Sequence, residues 1–110
     1  MVIEERRRDQ RVDIAFPLEC SKLSEKKYFY TVGKDLSTNG VKIISEEFLP
    51  KDNRLMVTIN LVDRVLNLQA KVAWCNKLRI AERYHAGLEF LDVDKENQRS
   101  ISRFLNKILS

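Results

Sequence analysis

One change of period constrains this chain more than any other feature. Between Val12 and Leu91 the apolar residues recur at every second position or in short β-branched and aromatic runs; after Ile101 they recur at every third and fourth. Val12, Ile14, Phe16, Leu18 and Cys20 alternate with other residues, the pattern of a half-buried strand, and Pro17 within it points to an edge or a bulge. Further strands are predicted over Lys27–Val32, Val41–Ser45, Arg54–Leu61, Val65–Cys75 and Tyr84–Leu91. The stretch Asn76–Arg83 follows no clean period and reads as an exposed hairpin end. Ile101, Phe104, Leu105, Ile108 and Leu109 form one apolar stripe of a helix spanning about 94–109. Asp92 or Asp94 is placed to cap its start, and Arg103 and Lys107 complement the dipole near its end. Six strands followed by one amphipathic helix are expected to close into a small antiparallel barrel, with the helix covering one opening or side. Trp74, Phe90 and Tyr30 are read as core, the alternative being an exposed Trp74 that stacks on a base or a partner.

The chain has 110 residues, 44% of them hydrophobic and 33% charged, enough for one compact domain without metal or disulfide staples. The N-terminus lacks the apolar stretch of a signal peptide and no segment reaches the roughly 20 apolar residues of a membrane span, so a cytoplasmic protein without membrane insertion is expected. Cys20 and Cys75 have no metal-ligand spacing and are read as reduced thiols packed as small hydrophobes. Residues 1–11 are expected to form a flexible arginine-rich tail, and 12–110 the barrel with its helix.

Catalytic constellations are missing. His85 stands inside a strand without a nucleophile motif beside it, Asp92 and Asp94 are explained by helix capping, and phosphate-loop, dinucleotide and zinc patterns are absent. No enzyme, no cofactor and no metal site is expected.

Charge is informative by its distribution. The 20 Lys and Arg exceed the 16 Asp and Glu by four, and Arg6-Arg7-Arg8-Asp9-Gln10-Arg11 alone nets +3 of that +4. Arg7 and Arg11 would point the same way about 13 Å apart in an extended tail, or stand about 6 Å apart on a helical turn. Either arrangement offers two planar guanidinium forks to phosphate oxygens or to the O6/N7 edge of guanine. The segment Asp35-Leu36-Ser37-Thr38-Asn39-Gly40 reads as a tight hydrogen-bonded loop. Within it Asp35 can accept from the N1–H and N2–H₂ donors of guanine, and Ser37 can donate or accept at a base or phosphate. Gly40 permits either an unusual backbone conformation or a close approach. Phosphate donors together with an acceptor for a guanine edge describe a guanine-nucleotide site.

These residues resemble the PilZ family of bacterial cyclic di-GMP receptors. Its RxxxR motif is Arg7-Arg8-Asp9-Gln10-Arg11 here, its [D/N]xSxxG motif is Asp35-Leu36-Ser37-Thr38-Asn39-Gly40, and Ala86-Gly87-Leu88-Glu89-Phe90 is similar to the family's last strand. The resemblance implies a six-stranded barrel that binds cyclic di-GMP on its outer surface, with the arginine tail folding over it. Arg7 and Arg11 would contact phosphates and guanine, Asp35, Ser37 and Asn39 would face the ligand from the barrel, and Gly40 would keep the loop's shape. Arg6, directly before the first motif arginine, points by the same resemblance to an intercalated pair of nucleotides. Ligand binding would order the tail and present a new surface to an unidentified effector in motility or biofilm control. Two other classes compete: an RNA- or single-stranded-DNA-binding barrel using the arginine tail, Lys77, Arg79 and Arg83 with Tyr28, Phe29 or Tyr30 as stacking platforms, and a nucleotide-independent protein-interaction barrel. Glu46, Glu47, Asp63, Glu82 and Glu89 interrupt any continuous basic stripe, which weighs against nucleic acid.

Overall fold

A computed structural model of the chain describes residues 15–23, 27–79 and 81–109. Six strands, β1 Phe16–Lys22, β2 Lys27–Lys34, β3 Gly40–Ser45, β4 Arg54–Asn60, β5 Val65–Lys77 and β6 Tyr84–Leu91, precede one helix, α1 Lys95–Leu109. All pairings are antiparallel, and the order β1-β2-β3-β6-β5-β4 closes on itself. Closure follows from the alternation: Leu18 and Cys20, Val41 and Ile43, Leu55, Val57 and Ile59, Leu66 and Leu68, and Ala86, Leu88 and Phe90 all turn inward and are buried. Each of these five strands therefore has one apolar face, β2 adds Phe29 to the same side, and bending the sheet into a cylinder buries those faces together while removing the sheet's edges.

The predicted elements are present with shifted ends. The expected first strand falls partly outside the described residues at Val12–Ile14, and β1 runs on to Lys22. Pro17 introduces no bulge in β1. It pairs with Val32 of β2 at a position before the β4 ladder, which starts at Leu18↔Ile59, so its missing N–H removes no bond on that side. The bulge lies instead in β5, between Val72 and Trp74, opposite Leu88 and Gly87 of β6.

The helix starts where Asp94 Oδ1 accepts from the N–H of Asn97 at 2.7 Å, so Asp94 is the N-cap. Asp92, the other candidate, sits in the left-handed region with φ 51 and turns the chain toward the helix. Ile101 and Leu105 are buried in the barrel core, with Phe104 and Ile108 packed against it. Arg64, in the β4–β5 turn, donates to Glu96 at 2.9 Å and to Ser100 at 3.2 Å, which ties the helix to that mouth of the barrel. By register, the same mouth carries the start of β1 and the β2–β3 loop, since Phe16 pairs with Gly33 and Gly40 with Glu89.

Cys20 lies in the core with no exposed surface, and Cys75 is half-buried and accepts from the N–H of Leu49; both are free thiols. Burial, with a smaller contribution from Glu19, pushes the Cys20 thiol from 9.0 up to about 12. The folded chain thus keeps a proton that the unfolded chain releases above pH 9. This stabilisation is complete below that pH and declines toward pH 12, at up to about 1.4 kcal/mol per unit. Urea unfolding of the wild type and Cys20→Ala across this range should show the gap between them narrowing as pH rises; a constant gap would contradict the burial argument.

Candidate functional site

The β2–β3 loop, Asp35–Asn39, is polar except for Leu36, which is wholly buried in the core. That insertion pins the loop to the barrel mouth, and three hydrogen bonds set its shape. The N–H of Ser37 donates to the carbonyl of Gly40 at 2.9 Å, the N–H of Asn39 donates to Ser37 Oγ at 3.1 Å, and the N–H of Phe90 donates to the carbonyl of Asn39 at 2.8 Å. Ser37 is 4% exposed, so its hydroxyl first serves the turn. Asp35 takes φ 51, a conformation that Asp tolerates better than most residues, and directs its carboxylate to Lys42 Nζ at 2.9 Å. Gly40 serves close approach: a Cβ there would stand 2.1 Å from the backbone oxygen of Leu88.

Beside the loop lies a shallow depression of about 210 Å³ that brings together Asp35, Ser37, Asn39 and Gly40 with Lys42, Trp74 and Glu89. Its floor is Gly87, where an added Cβ would meet the Trp74 indole at 2.2 Å. Trp74 is half-buried on the outer wall, edge-on to His85 with ring centroids 5.0 Å apart, and is not in the core. The β5 bulge after Val72 explains this, because one irregular step reverses which face the following side chain occupies. Tyr30 is also outside the core, 80% exposed, while Phe90 is buried as expected. The bases near the depression are paired within the barrel: Lys42 with Asp35, and Lys71 with Glu89 at 3.4 Å.

Four of the seven expected site residues are thus placed on one patch. Arg6, Arg7 and Arg11 lie outside the described residues. Lys42, Gly87 and Glu89 are not legible as site residues from the sequence, and Trp74 is legible only as the alternative to a core position. Their membership depends on cross-strand register, Lys42↔Gly87 and Gly87↔Trp74, and the one legible hint was a tryptophan and a glycine in facing strands. Among the described residues, no group of His, Cys, Asp and Glu is arranged to hold a metal ion, and no helix is long and apolar enough to cross a membrane.

A closed six-stranded barrel, plugged at one mouth by a helix and carrying a rigid polar loop on its outer wall, defines a class of small barrel with a surface site. The chain belongs to the PilZ domain family, whose family model matches residues 5–107. Its structure is similar to the PilZ domain with c-di-GMP of YcgR from Escherichia coli, with a TM-score of 0.75 at 17% identity over 94% of this chain and 92% of that chain. It is similar to the Bacillus subtilis inhibitor of motility MotI/DgrA, with a TM-score of 0.79 at 15% identity over 94% of this chain and 51% of that one. The MrkH–c-di-GMP complex of K. pneumonia aligns with a TM-score of 0.75 at 17% identity over 94% of this chain and 52% of that one. The chain therefore spans about half the length of MotI/DgrA and of MrkH. No curated protein matches the sequence.

The two glycines should respond differently to a methyl group. Gly40→Ala collides with backbone and should lower stability by at least about 2 kcal/mol in urea unfolding. Gly87→Ala collides with a side chain that can swing away, so it should leave the fold intact and shift the emission of Trp74, the only tryptophan. Unchanged emission in a folded Gly87→Ala protein would refute the indole-over-glycine contact.

Proposed function

We propose that this chain is a cytoplasmic receptor for cyclic di-GMP, bound between the Asp35–Gly40 loop and the Arg6–Arg11 tail. The observation that carries this reading is the complete Asp35-x-Ser37-x-x-Gly40 motif held rigid on the outer wall, at the mouth from which the chain's N-terminal segment departs. Phe16 pairs with Gly33, two residues from Asp35. Arg11 is five residues before Phe16, so at no more than about 3.6 Å per residue it lies within about 18 Å of that pair. Chain connectivity alone allows both motifs to meet one ligand.

The depression supports a divided site. At about 210 Å³ it is smaller than the roughly 300–1,000 Å³ of pockets that enclose a small molecule, so the barrel covers one face of a dinucleotide and the tail covers another. Asp35 accepts from the guanine N1–H and N2–H₂ edge, and Trp74 offers a stacking surface for a base. Arg7 and Arg11 bind phosphate and the guanine O6/N7 edge, and Arg6 extends that contact to a second, intercalated nucleotide. The barrel side is pre-formed, and the tail together with its bound ligand becomes the surface that a downstream effector reads. YcgR's PilZ domain and MrkH, each solved with c-di-GMP, lend this reading their fold.

Titration calorimetry with cyclic di-GMP tests it. Binding should saturate at two nucleotides per chain, quench Trp74 fluorescence, and weaken at least about tenfold in Arg7→Ala, Arg11→Ala and Asp35→Ala, each removing a charge-assisted contact. Lys51→Ala, remote from both motifs in sequence, should bind as the wild type does. No heat at tens of micromolar ligand in low salt would refute the receptor; saturation at one would refute the intercalated pair.

A further inference from the structure

The six strand pairings of the barrel are unequal. β1–β2, β3–β6, β4–β5 and β5–β6 are paired along six to eight positions and β1–β4 along five, whereas β2–β3 pairs at Gly33↔Ile43 and Lys34↔Lys42 and no further. Among the described residues, the β3-facing edge of β2 has no ladder from Lys27 to Val32. The Thr31 hydroxyl spans the gap, donating to the carbonyl of Ile44 and accepting from its N–H at 3.2 Å. The parted strands enclose a cleft of about 650 Å³ at the end of the barrel opposite the Asp35 loop, where Ser45 and Arg83 line it. On the outer face beside it, Tyr28 is 68% exposed, Tyr30 80% and Val32 44%.

An open strand edge flanked by exposed aromatic residues is a feature that monomeric barrels ordinarily cover. The charge pattern says what covers this one. β2 reads Lys-Tyr-Phe-Tyr-Thr-Val-Gly-Lys, a cation at each end and no acid between. Pairing of β2 with the same strand of a second copy sets lysine against lysine at both ends, in either direction, and like charges directly opposite are destabilising. A strand with acidic ends and an apolar middle has the complementary pattern. Glu47, which reaches Lys27 at 3.3 Å and Lys22 at 2.8 Å, already shows a carboxylate seated at one end of the cleft.

We propose that the β2–β3 seam is a docking site for an extended segment of another protein. That segment adds as a strand to the open edge of β2, lays alternate apolar side chains on Tyr28, Tyr30 and Val32, and sets acidic residues against Lys27 and Lys34. Main-chain hydrogen bonds supply affinity in this mode, and the outward row of aromatic anchors supplies selectivity. The six residues Lys27–Val32 offer about 20 Å of edge, room for a strand of ordinary length. The site shares no residue with the Asp35–Gly40 loop and stands whether or not a nucleotide binds there.

Panning a random dodecapeptide display library against the full chain provides the probe, and fluorescence anisotropy of the selected peptide on the full chain measures it. Selected sequences should alternate apolar residues between acidic flanks, and binding should slow amide exchange over Lys27–Val32. Tyr30→Ser and Lys34→Glu should each weaken binding about tenfold, the loss of one anchor or of one complementary charge, while Arg11→Ala leaves it unchanged. Tyr30 and Lys34 are exposed, so thermal melts should match the wild type. Selection of proline-rich or basic peptides, or binding indifferent to Tyr30→Ser, would overturn the proposal. So would a homodimer dissociated by Tyr30→Ser, or tighter binding of oligothymidylate to the same tyrosines.

Discussion

The burial of Leu36 governs the candidate site. A loop of Asp, Ser, Thr and Asn would otherwise be free to sample many conformations, because each of those side chains can hydrogen-bond its own backbone in several ways. Placing one leucine in the core, worth about 2 kcal/mol, restricts the flanking residues to conformations compatible with that anchor. The turn bonds through Ser37, Asn39 and Gly40 then select one of them, and the link from Phe90 fastens the loop to β6. Asp35 consequently stands in a left-handed conformation with its carboxylate fixed on the outer wall.

The alternation that marks the strands was legible because a strand in a closed barrel has one face inside and one outside; a single period therefore reports both secondary structure and burial. The helix was legible for the same reason, and Asp94 could be named as a cap candidate from its place before the apolar stripe. Trp74 was misplaced because a β-bulge adds a residue without any composition to announce it, and every inside-or-outside inference after Val72 on β5 changes phase. Tyr30 was misplaced because aromatic content alone does not say which face of β2 a residue takes: Phe29 turns toward the core and Tyr30 away. Asp35, Ser37 and Gly40 were readable as a local motif, whereas Lys42, Gly87 and Glu89 join them only through pairing across three strands. Arg6, Arg7 and Arg11 are readable as a charge cluster, and they lie outside the described residues.

The two ends of the barrel are built differently. At one end the Leu36 loop, the β4–β5 turn and α1 converge, so that the mouth is filled by Leu36, Ile101 and Leu105 and cross-linked by Arg64. At the other, β2 and β3 part and, among the described residues, the Thr31 hydroxyl bridges them to Ile44. Cooperative stability concentrates where buried apolar contacts and paired backbone are dense, so the closed end is the rigid one and the seam is where the barrel yields first. Fixed geometry is therefore a property of the first end, and an unladdered strand edge of the second.

Electrostatics divide the proposed nucleotide site in a corresponding way. On the barrel, Lys42 is neutralised by Asp35 and Lys71 by Glu89, so the depression holds shape and hydrogen-bonding groups with little net field. These exposed pairs contribute little to stability, and their main effect is to cancel attraction for a phosphate. Residues Arg6 to Arg11 carry +3 of the chain's +4, so in the proposed site the long-range pull on an anionic dinucleotide would originate in the tail and discrimination between bases on the wall. In the proposed arrangement affinity would fall with salt, whereas a preference for guanine set by Asp35 at hydrogen-bond distance would be screened far less.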